Sequence, residues 1–363
     1  MTSSRHHAII YLFSGREQKH KRKENRENQK GKSSMKKKSY IVFDCETATM
    51  PFANELAHGD SEKKKRIAIA RPLIYNPGWT QVDRNGNISD RKEFLVAETF
   101  AVPSVFNTAY YAEKRPIYLE KIARGELTVL PWNDIMKIFI TDLEKVDAVG
   151  AFNSMFDFKK AIPFTDLYIK HLYSPDYYEW EKTQYNICRN IANNTTKQKN
   201  ENDFEPDVFR FRGKAYPLFD LWGLSTAHLL NNASYKKECL NHDMLTASGT
   251  YFKTSAESTY RYLMNKYDFD EAHTALEDAE IESFILSKIA ARHAITPGIT
   301  FFPFRELGMT TDFVQRRVRP DVNECMKVID AINAYIDSKV DTDTAYIVGL
   351  RRKIDEPITY MGQ

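Results

Sequence analysis

The run Tyr40-Ile41-Val42-Phe43 is short, apolar and followed by charge, the pattern of a strand buried in the middle of a sheet. A second strand is predicted from Leu73 to Val82. Asn85-Gly86 then marks a hairpin whose two turn positions both favour φ > 0, and the partner strand runs from Ile88 to Ala97. These segments predict an antiparallel meander with the first strand beside it.

Further on, Pro131 suits a first helical position, and Ile135, Ile138, Phe139, Leu143 and Val146 recur on one face at helical spacing. Asp147 to Phe152 reads as a strand and Ser154 to Ile162 as a helix. Phe219 to Leu221 reads as the end of another strand. Helices are expected over Ser255–Met264, over Ala275–Ala291 with Ile281, Phe284, Ile285 and Ile289 inward, and over Val322–Lys339. Residues 165–215 differ in kind, being Asn/Lys-rich between 193 and 203 with aromatic side chains at both ends. No internal repeat is present.

Composition adds bounds. At 363 residues the chain is longer than a usual domain of about 100–200, which fits one large domain with additions. With 42% hydrophobic residues, 22 Phe and 20 Tyr, it has ample material for a core. Cys45, Cys188, Cys239 and Cys325 are scattered and form no CxxC pair, which argues against a disulfide framework or a zinc site and suits a reducing cytosol. No apolar run approaches the ~18 residues of a membrane span. The run Ala8–Phe13 is shorter than the ~7–15-residue core of a signal peptide. The expected location is cytoplasmic, with no membrane partner, so the sequon Asn193-Asn194-Thr195 carries no meaning.

Charge is divided unevenly. Residues 1–39 hold 12 Lys and Arg against 3 acidic residues, a balance of +9, whereas the remainder holds 40 against 46, a balance of −6. The first 38 residues read as a basic, disordered leader able to attract phosphate non-specifically. Translation starting at Met35 would place Met-Lys-Lys-Lys just before the first strand.

The candidate chemistry lies in three acidic islands, each where an apolar element ends. In Asp44-Cys45-Glu46 the two carboxylates are two apart on a strand and share a face, while Cys45 points to the other and reads as core. Like charges side by side are costly unless a cation sits between them, although a lone DxE is often plain surface charge. In the second island, Asn153 or Ser154 would cap a helix and leave Asp157 in its first turn, where the helix dipole favours a carboxylate by about 0.3–1 kcal/mol. In the third, Thr274-x-x-Glu277 is a capping box that fixes a helix start. His273 then lies just before the cap and Asp278 at the fourth helical position, a pair of places normally joined by an apolar staple. An imidazole and a carboxylate there point to function, with His273 as a general base on a movable loop. Oxygen ligands of this kind select Mg²⁺ or Mn²⁺ over zinc, and two ions about 3.5–4 Å apart would clamp the attacking and leaving oxygens of a phosphodiester.

Three strings carry a family resemblance. Ile41-Val42-Phe43-Asp44-Cys45-Glu46-Thr47 resembles the first motif of the DEDD exonuclease superfamily, and Asn153-Ser154-Met155-Phe156-Asp157 its second. His273-Thr274-Ala275-Leu276-Glu277-Asp278-Ala279 is similar to the third motif in its h form, with His five residues before the last Asp. Leu218-Phe219-Asp220-Leu221 resembles a segment that usually lies between the second and third motifs. The resemblance spans roughly residues 40–292 and includes proofreading exonucleases, ribonuclease T and oligoribonuclease. It implies an RNase H-like α/β fold, a mixed sheet flanked by helices, that removes mononucleotides from a 3′ end. Asp44 would bridge two metal ions, Glu46 and Asp278 would complete one site, Asp157 would support the other, and His273 would activate the water. Thr47, Asn153 and Phe156 would contact substrate.

The expected organisation is a leader over 1–38, an exonuclease domain over 39–295 with an insert at about 165–215, and a C-terminal helical extension over 296–363. The insert departs from the compact members of the family. It carries Tyr173, Tyr177, Tyr178, Trp180, Tyr185, Phe204, Phe209 and Phe211 together with Arg189, Arg210, Arg212 and Lys214. Aromatic and basic residues so interleaved can stack on and hold single-stranded nucleic acid, with Tyr178 and Trp180 as the candidates for contact. The preferred reading is that the aromatics form the insert's own small core. Single-stranded 3′ ends are the expected partners, DNA before RNA, since nothing reports on a 2′-OH. A non-catalytic nucleic-acid-binding module and a structural subunit that recruits a polymerase are the alternatives from other classes.

Overall fold

Side-chain alternation along the first strand, β1 (Ser39–Ala48), decides where the charges go. Ile41, Phe43 and Cys45 point into one apolar cluster, and Tyr40 and Val42 into another on the opposite face, so Asp44 and Glu46 share the second face. The computed structural model describes residues 38–193 and 207–298, together with Met309 and Thr311.

The other strands are β2 (Leu73–Asp83), β3 (Ile88–Val96), β4 (Thr128–Leu130), β5 (Ala148–Ala151), β6 (Val208–Phe211) and β7 (Lys214–Asp220). They form one seven-stranded mixed sheet in the order β4-β3-β2-β1-β5-β7-β6. The first three strands make the expected antiparallel meander, and β5 and β7 continue it parallel to β1. The larger helices are α1 (Ser61–Ala70), α2 (Arg115–Ala123), α3 (Trp132–Leu143), α4 (Ile162–Leu172), α5 (Tyr177–Asn193), α6 (Ala233–Asn241), α7 (Ala256–Met264) and α8 (Ala275–Ala290). Apolar clusters on both faces make this an α/β fold. No helix among the described residues is long and apolar enough to cross a membrane.

On one face, Phe43 packs between Trp79, Phe139 and Phe158. On the other, Ile285, Leu286 and Ile289 of α8 meet Tyr40, Val42, Val82 and Phe219. The inward face of α8 is more polar than its apolar spacing predicts. Glu282 and Ser283 are buried with Ile285, while Ile281 and Phe284 are only half-buried. Ser283 reaches the Thr80 hydroxyl at 2.5 Å.

The start of α8 lies directly on the sheet, and Gly78 permits it. A Cβ there would stand 2.6 Å from both the Ala275 carbonyl carbon and the Leu276 nitrogen, backbone atoms that cannot yield. Gly78 is paired across the sheet with Asp44, so this close approach brings the third sequence island down upon the first. Gly78→Ala is expected to destabilise the fold by about 1–3 kcal/mol in denaturant melts and to depress any activity of the site as well.

Several expectations are corrected. Asn85 does not take positive φ; only Gly86 of that pair does, at 86°. The Asp83 carboxylate accepts bonds from the Asn85 and Asn87 amides, and the Gly86 amide donates to the Asp83 carbonyl, which makes a tight turn followed by one left-handed glycine. Pro131 is the residue before α3 rather than its first, with ψ 142°. The helix expected over Ser154–Ile162 is longer. It begins as Ser154–Phe156, widens through a π turn at Asp157–Ala161 and continues as α4 to Leu172. Residue 165, where the insert was expected to begin, lies within that helix. The insert's Phe209, Phe211, Cys188 and Ile191 belong to the same cluster as Phe43, not to a core of their own. Of its bases, Arg212 pairs with Asp166 and Lys214 with Glu144.

After α8, Gly298 hydrogen-bonds with β7, donating to Leu218 and accepting from Asp220. Met309 is buried with Tyr235, Cys239 and Phe252. The basic leader, residues 194–206 including Phe204, and the helix expected over Val322–Lys339 lie outside the described residues.

Candidate active site

Strand β5 pairs with β1 only from Tyr40 to Val42. Past that point, at Asp44, Cys45 and Glu46, β1 stays paired with β2 but has no strand on its β5 side among the described residues, and the chain leaving β5 turns there into the helix that bears Asp157. The turn is held by Asp220 at the end of β7. Its carboxylate accepts from the Ser154 amide at 2.9 Å and the Gly223 amide at 3.0 Å. Neither Asn153 nor Ser154 caps this helix with its side chain, a second correction. Asn153 is exposed in the left-handed region with φ 79°, and the Ser154 hydroxyl bonds to the Ala151 and Phe219 carbonyls.

Asp157 is buried, and the Cys45 thiol donates to its Oδ1 at 3.1 Å. Cys45 is thus a core residue, as expected, but its hydrogen also touches the candidate ligand. Glu46 and Thr47 are separated by a break in the β1–β2 register, which ends the strand's regular alternation just after the second carboxylate.

Helix α8 begins after Thr274 as expected, but without the reciprocal capping box. The Thr274 hydroxyl donates to Glu277, and the Ala275 amide is taken by the Asn76 side chain of β2 at 3.2 Å. Asp278 is 7% exposed, and its Oδ1 has no hydrogen-bond partner among the described residues. One ligand atom each from Glu46, His273 and Asp278 lies within 4.8 Å of the others. The pairing of His273 with Asp278 across the helix start is therefore present, and Glu46 joins it.

His273 is held rather than free. Its backbone is left-handed, with φ 52°, and its ring stacks on Tyr111 at 4.6 Å and 15°. Lys114 lies 4.3 Å from the Tyr111 ring centre and donates to the Ala272 carbonyl at 2.6 Å. Glu271 lies 3.8 Å from His273 Nδ1.

The electrostatics are those of crowded carboxylates. Burial, offset in part by a hydrogen bond from the Cys45 backbone, pushes Asp44 up to about 7. Burial and the Asp44 charge push Glu46 to about 8 and Asp278 to about 10, and raise Asp157 well above the usual range. His273 goes the other way, lowered by burial and then by the Lys114 cation. Two further carboxylates belong to the group. Glu282, 3% exposed, accepts from the Phe152 amide at 3.1 Å and is raised by burial and by Asp44 and Asp157. Glu271 is raised to about 7 by burial and then by Asp44. The sequence held a signal for the first, since Glu282 follows Asp278 by four residues and shares its helix face. It held none for Tyr111 or Lys114, whose roles come from tertiary packing.

This donor set fits a divalent cation. It is oxygen-rich, its members raise one another's pKa through like charge, and a buried carboxylate oxygen of Asp278 has no hydrogen-bond partner among the described residues.

Phe156 is half-buried against the main core, and Thr47 is half-exposed at the end of β1. Trp180 packs within α4 and α5, stacked on His171 at 4.9 Å with Phe164, Tyr168 and Tyr177 around it. Tyr178 is 70% exposed and lines an open groove with Pro51, Phe52, Glu55 and Tyr185. No hydrogen bond or ring contact among the described residues joins Tyr178 or Trp180 to the carboxylates. No protein-family model matches the chain, and no curated protein matches it significantly.

Proposed function

We propose that the chain is a metal-dependent 3′→5′ exonuclease of the DEDDh type, hydrolysing the terminal phosphodiester of single-stranded nucleic acid. One observation carries the reading. Motifs more than a hundred residues apart in sequence meet at one central strand: Glu46 with His273 and Asp278, and Asp157 through the Cys45 thiol and the Asp44 charge. Asp157 and Asp278 are buried, and Asp278 Oδ1 has no hydrogen-bond partner among the described residues, which a plain surface distribution of acids would not give. The strand order is compatible with the RNase H-like fold that the motifs imply, with β4 and β6 as additions at the two edges.

Asp44, Glu46, Asp157 and Asp278 would hold Mg²⁺ or Mn²⁺, two ions in this reading. When bound, the ions supply positive charge to the attacking and leaving oxygens of a phosphodiester. His273, kept neutral by its lowered pKa and oriented by the Tyr111 ring, takes the proton from the attacking water. Thr47, which follows Glu46, and Asn153 and Phe156, which precede Asp157, would contact the 3′-terminal nucleotide. Tyr178, at the exposed groove beyond the end of β1, is better placed than Trp180 to meet a base further along the strand. DNA is the preferred polymer, with RNA as the alternative in the same class. The buried free thiols of Cys45, Cys188 and Cys239 suit a reducing, cytoplasmic setting.

Metal dependence tests the reading. Hydrolysis of a single-stranded oligonucleotide is expected to stop in EDTA and to return on adding excess Mg²⁺ or Mn²⁺. Hydrolysis that persists at saturating EDTA would overturn the assignment of the carboxylates as ligands.

A further inference from the structure

We infer that Glu46, His273 and Asp278 form a site for one borderline transition ion of the Zn²⁺ class, bound with the imidazole as a ligand. The regulatory part of this inference rests on the exonuclease reading. An imidazole that gives its lone pair to an ion cannot take a proton from water, so such an ion silences the site that Mg²⁺ or Mn²⁺ activates.

Two independent features support the site. The first is convergence: the three ligand atoms already lie within 4.8 Å of one another. Zinc binds nitrogen and carboxylate oxygen at about 2.0–2.2 Å, which at tetrahedral angles puts its ligands roughly 3.3–3.6 Å apart, so closure needs a shift of about 1.5 Å or less. The second is the Asp278 carboxylate itself. It is 7% exposed, faces Glu46 and His273, and leaves Oδ1 without a hydrogen-bond partner among the described residues. Burying an unmet polar atom costs about 1–3 kcal/mol or more, and a cation on that oxygen removes the cost.

Ligand chemistry decides which ion. A nitrogen beside two carboxylates favours Zn²⁺, Co²⁺ or Ni²⁺, whereas Mg²⁺ keeps to oxygen and to its own waters. His273 needs no loop rearrangement to serve, because Tyr111 is stacked on its ring and Lys114 holds the Ala272 carbonyl before it. Three protein ligands leave a fourth position to water, the open arrangement common to exchangeable zinc sites.

The test titrates the full chain by calorimetry with ZnCl₂ and, separately, MgCl₂, as wild type and as His273→Ala. The expected result is one Zn²⁺ per chain, bound on the order of 100-fold more weakly after the substitution. Mg²⁺ binding should stay within about twofold, since oxygen ligands carry it. His273→Gln, which preserves more of the side-chain volume, serves as a second variant. With Co²⁺ as an optical reporter, the visible band should shift between wild type and this variant. Equal Zn²⁺ affinity in wild type and variants, equal weakening of both ions, or no Zn²⁺ binding by folded wild type would each overturn the inference. None of these readouts depends on hydrolysis. Failure of the exonuclease reading would show instead as wild-type protein that binds Mg²⁺ and cuts nothing.

Discussion

Asp44→Asn is expected to reduce metal-dependent hydrolysis by at least about a thousandfold, measured as release of labelled nucleotide under single-turnover conditions. A metal ion stabilises the charge of a phosphoryl transition state by several kcal/mol, and about 4 kcal/mol is a factor of 10³ in rate. Asp44 sits at the centre of the electrostatics: its charge raises Glu46, Asp157, Asp278, Glu271 and Glu282 alike. The same fact separates a lost site from a lost fold. Folding lifts the Asp44 carboxyl from 3.8 to about 7, because burial disfavours its charged form. The folded state therefore holds the proton more tightly than the unfolded chain does. The associated stability is complete below about pH 4 and is lost as pH rises through 7. Metal-free wild type should thus melt at lower temperature at pH 8 than at pH 5. The asparagine variant should show a shallower loss and be the more stable of the two at pH 8. An inactive Asp44→Asn that is also less stable than wild type at pH 8 would point to a folding role instead.

His273→Ala should slow hydrolysis by about 10²–10⁴-fold while leaving Mg²⁺ affinity close to that of wild type. The pH profile gives the sharper evidence. A general base works in its neutral form, so the rate climbs as pH rises through the imidazole pKa. Burial and Lys114 place that pKa below the ordinary 6.5. The wild-type profile should therefore have an acid limb with its midpoint under pH 6.5, absent from the alanine variant. Lys114→Ala, with the nearby cation gone, should move the limb upward. A limb that stays in place in His273→Ala would belong to another group and would remove the imidazole from the base role.

Much of this arrangement was legible in the residues because it rests on local periodicity. Asp44 and Glu46 share a face because strand side chains alternate, and the apolar residues Tyr40, Ile41, Val42 and Phe43 establish the strand. Thr274 announces the start of α8, so His273 and Asp278 could be placed relative to each other before any sheet was assigned. What was not legible depends on neighbours distant in sequence. Asp220 supplies the cap that Asn153 and Ser154 were expected to give, and Asn76 takes the place of the capping box. Tyr111 holds the imidazole from a loop that no motif marks. The aromatic segment misled for a related reason. Phe209 packs on Phe158, and Trp180 lies partly buried against the same cluster as Phe43, so rings that read as a separate unit fill space against the main body. Composition shows that a segment has rings to bury, not what they will be buried against.

The most direct measurement follows single-stranded DNA and RNA, each labelled at the 3′ or the 5′ end, with Mg²⁺ present. The account predicts that 5′-labelled strands shorten one nucleotide at a time, while 3′-labelled strands release their label at once as a mononucleotide. Internal fragments as first products, loss of the 5′ label first, or intact strands with folded wild-type protein at saturating Mg²⁺ would contradict it.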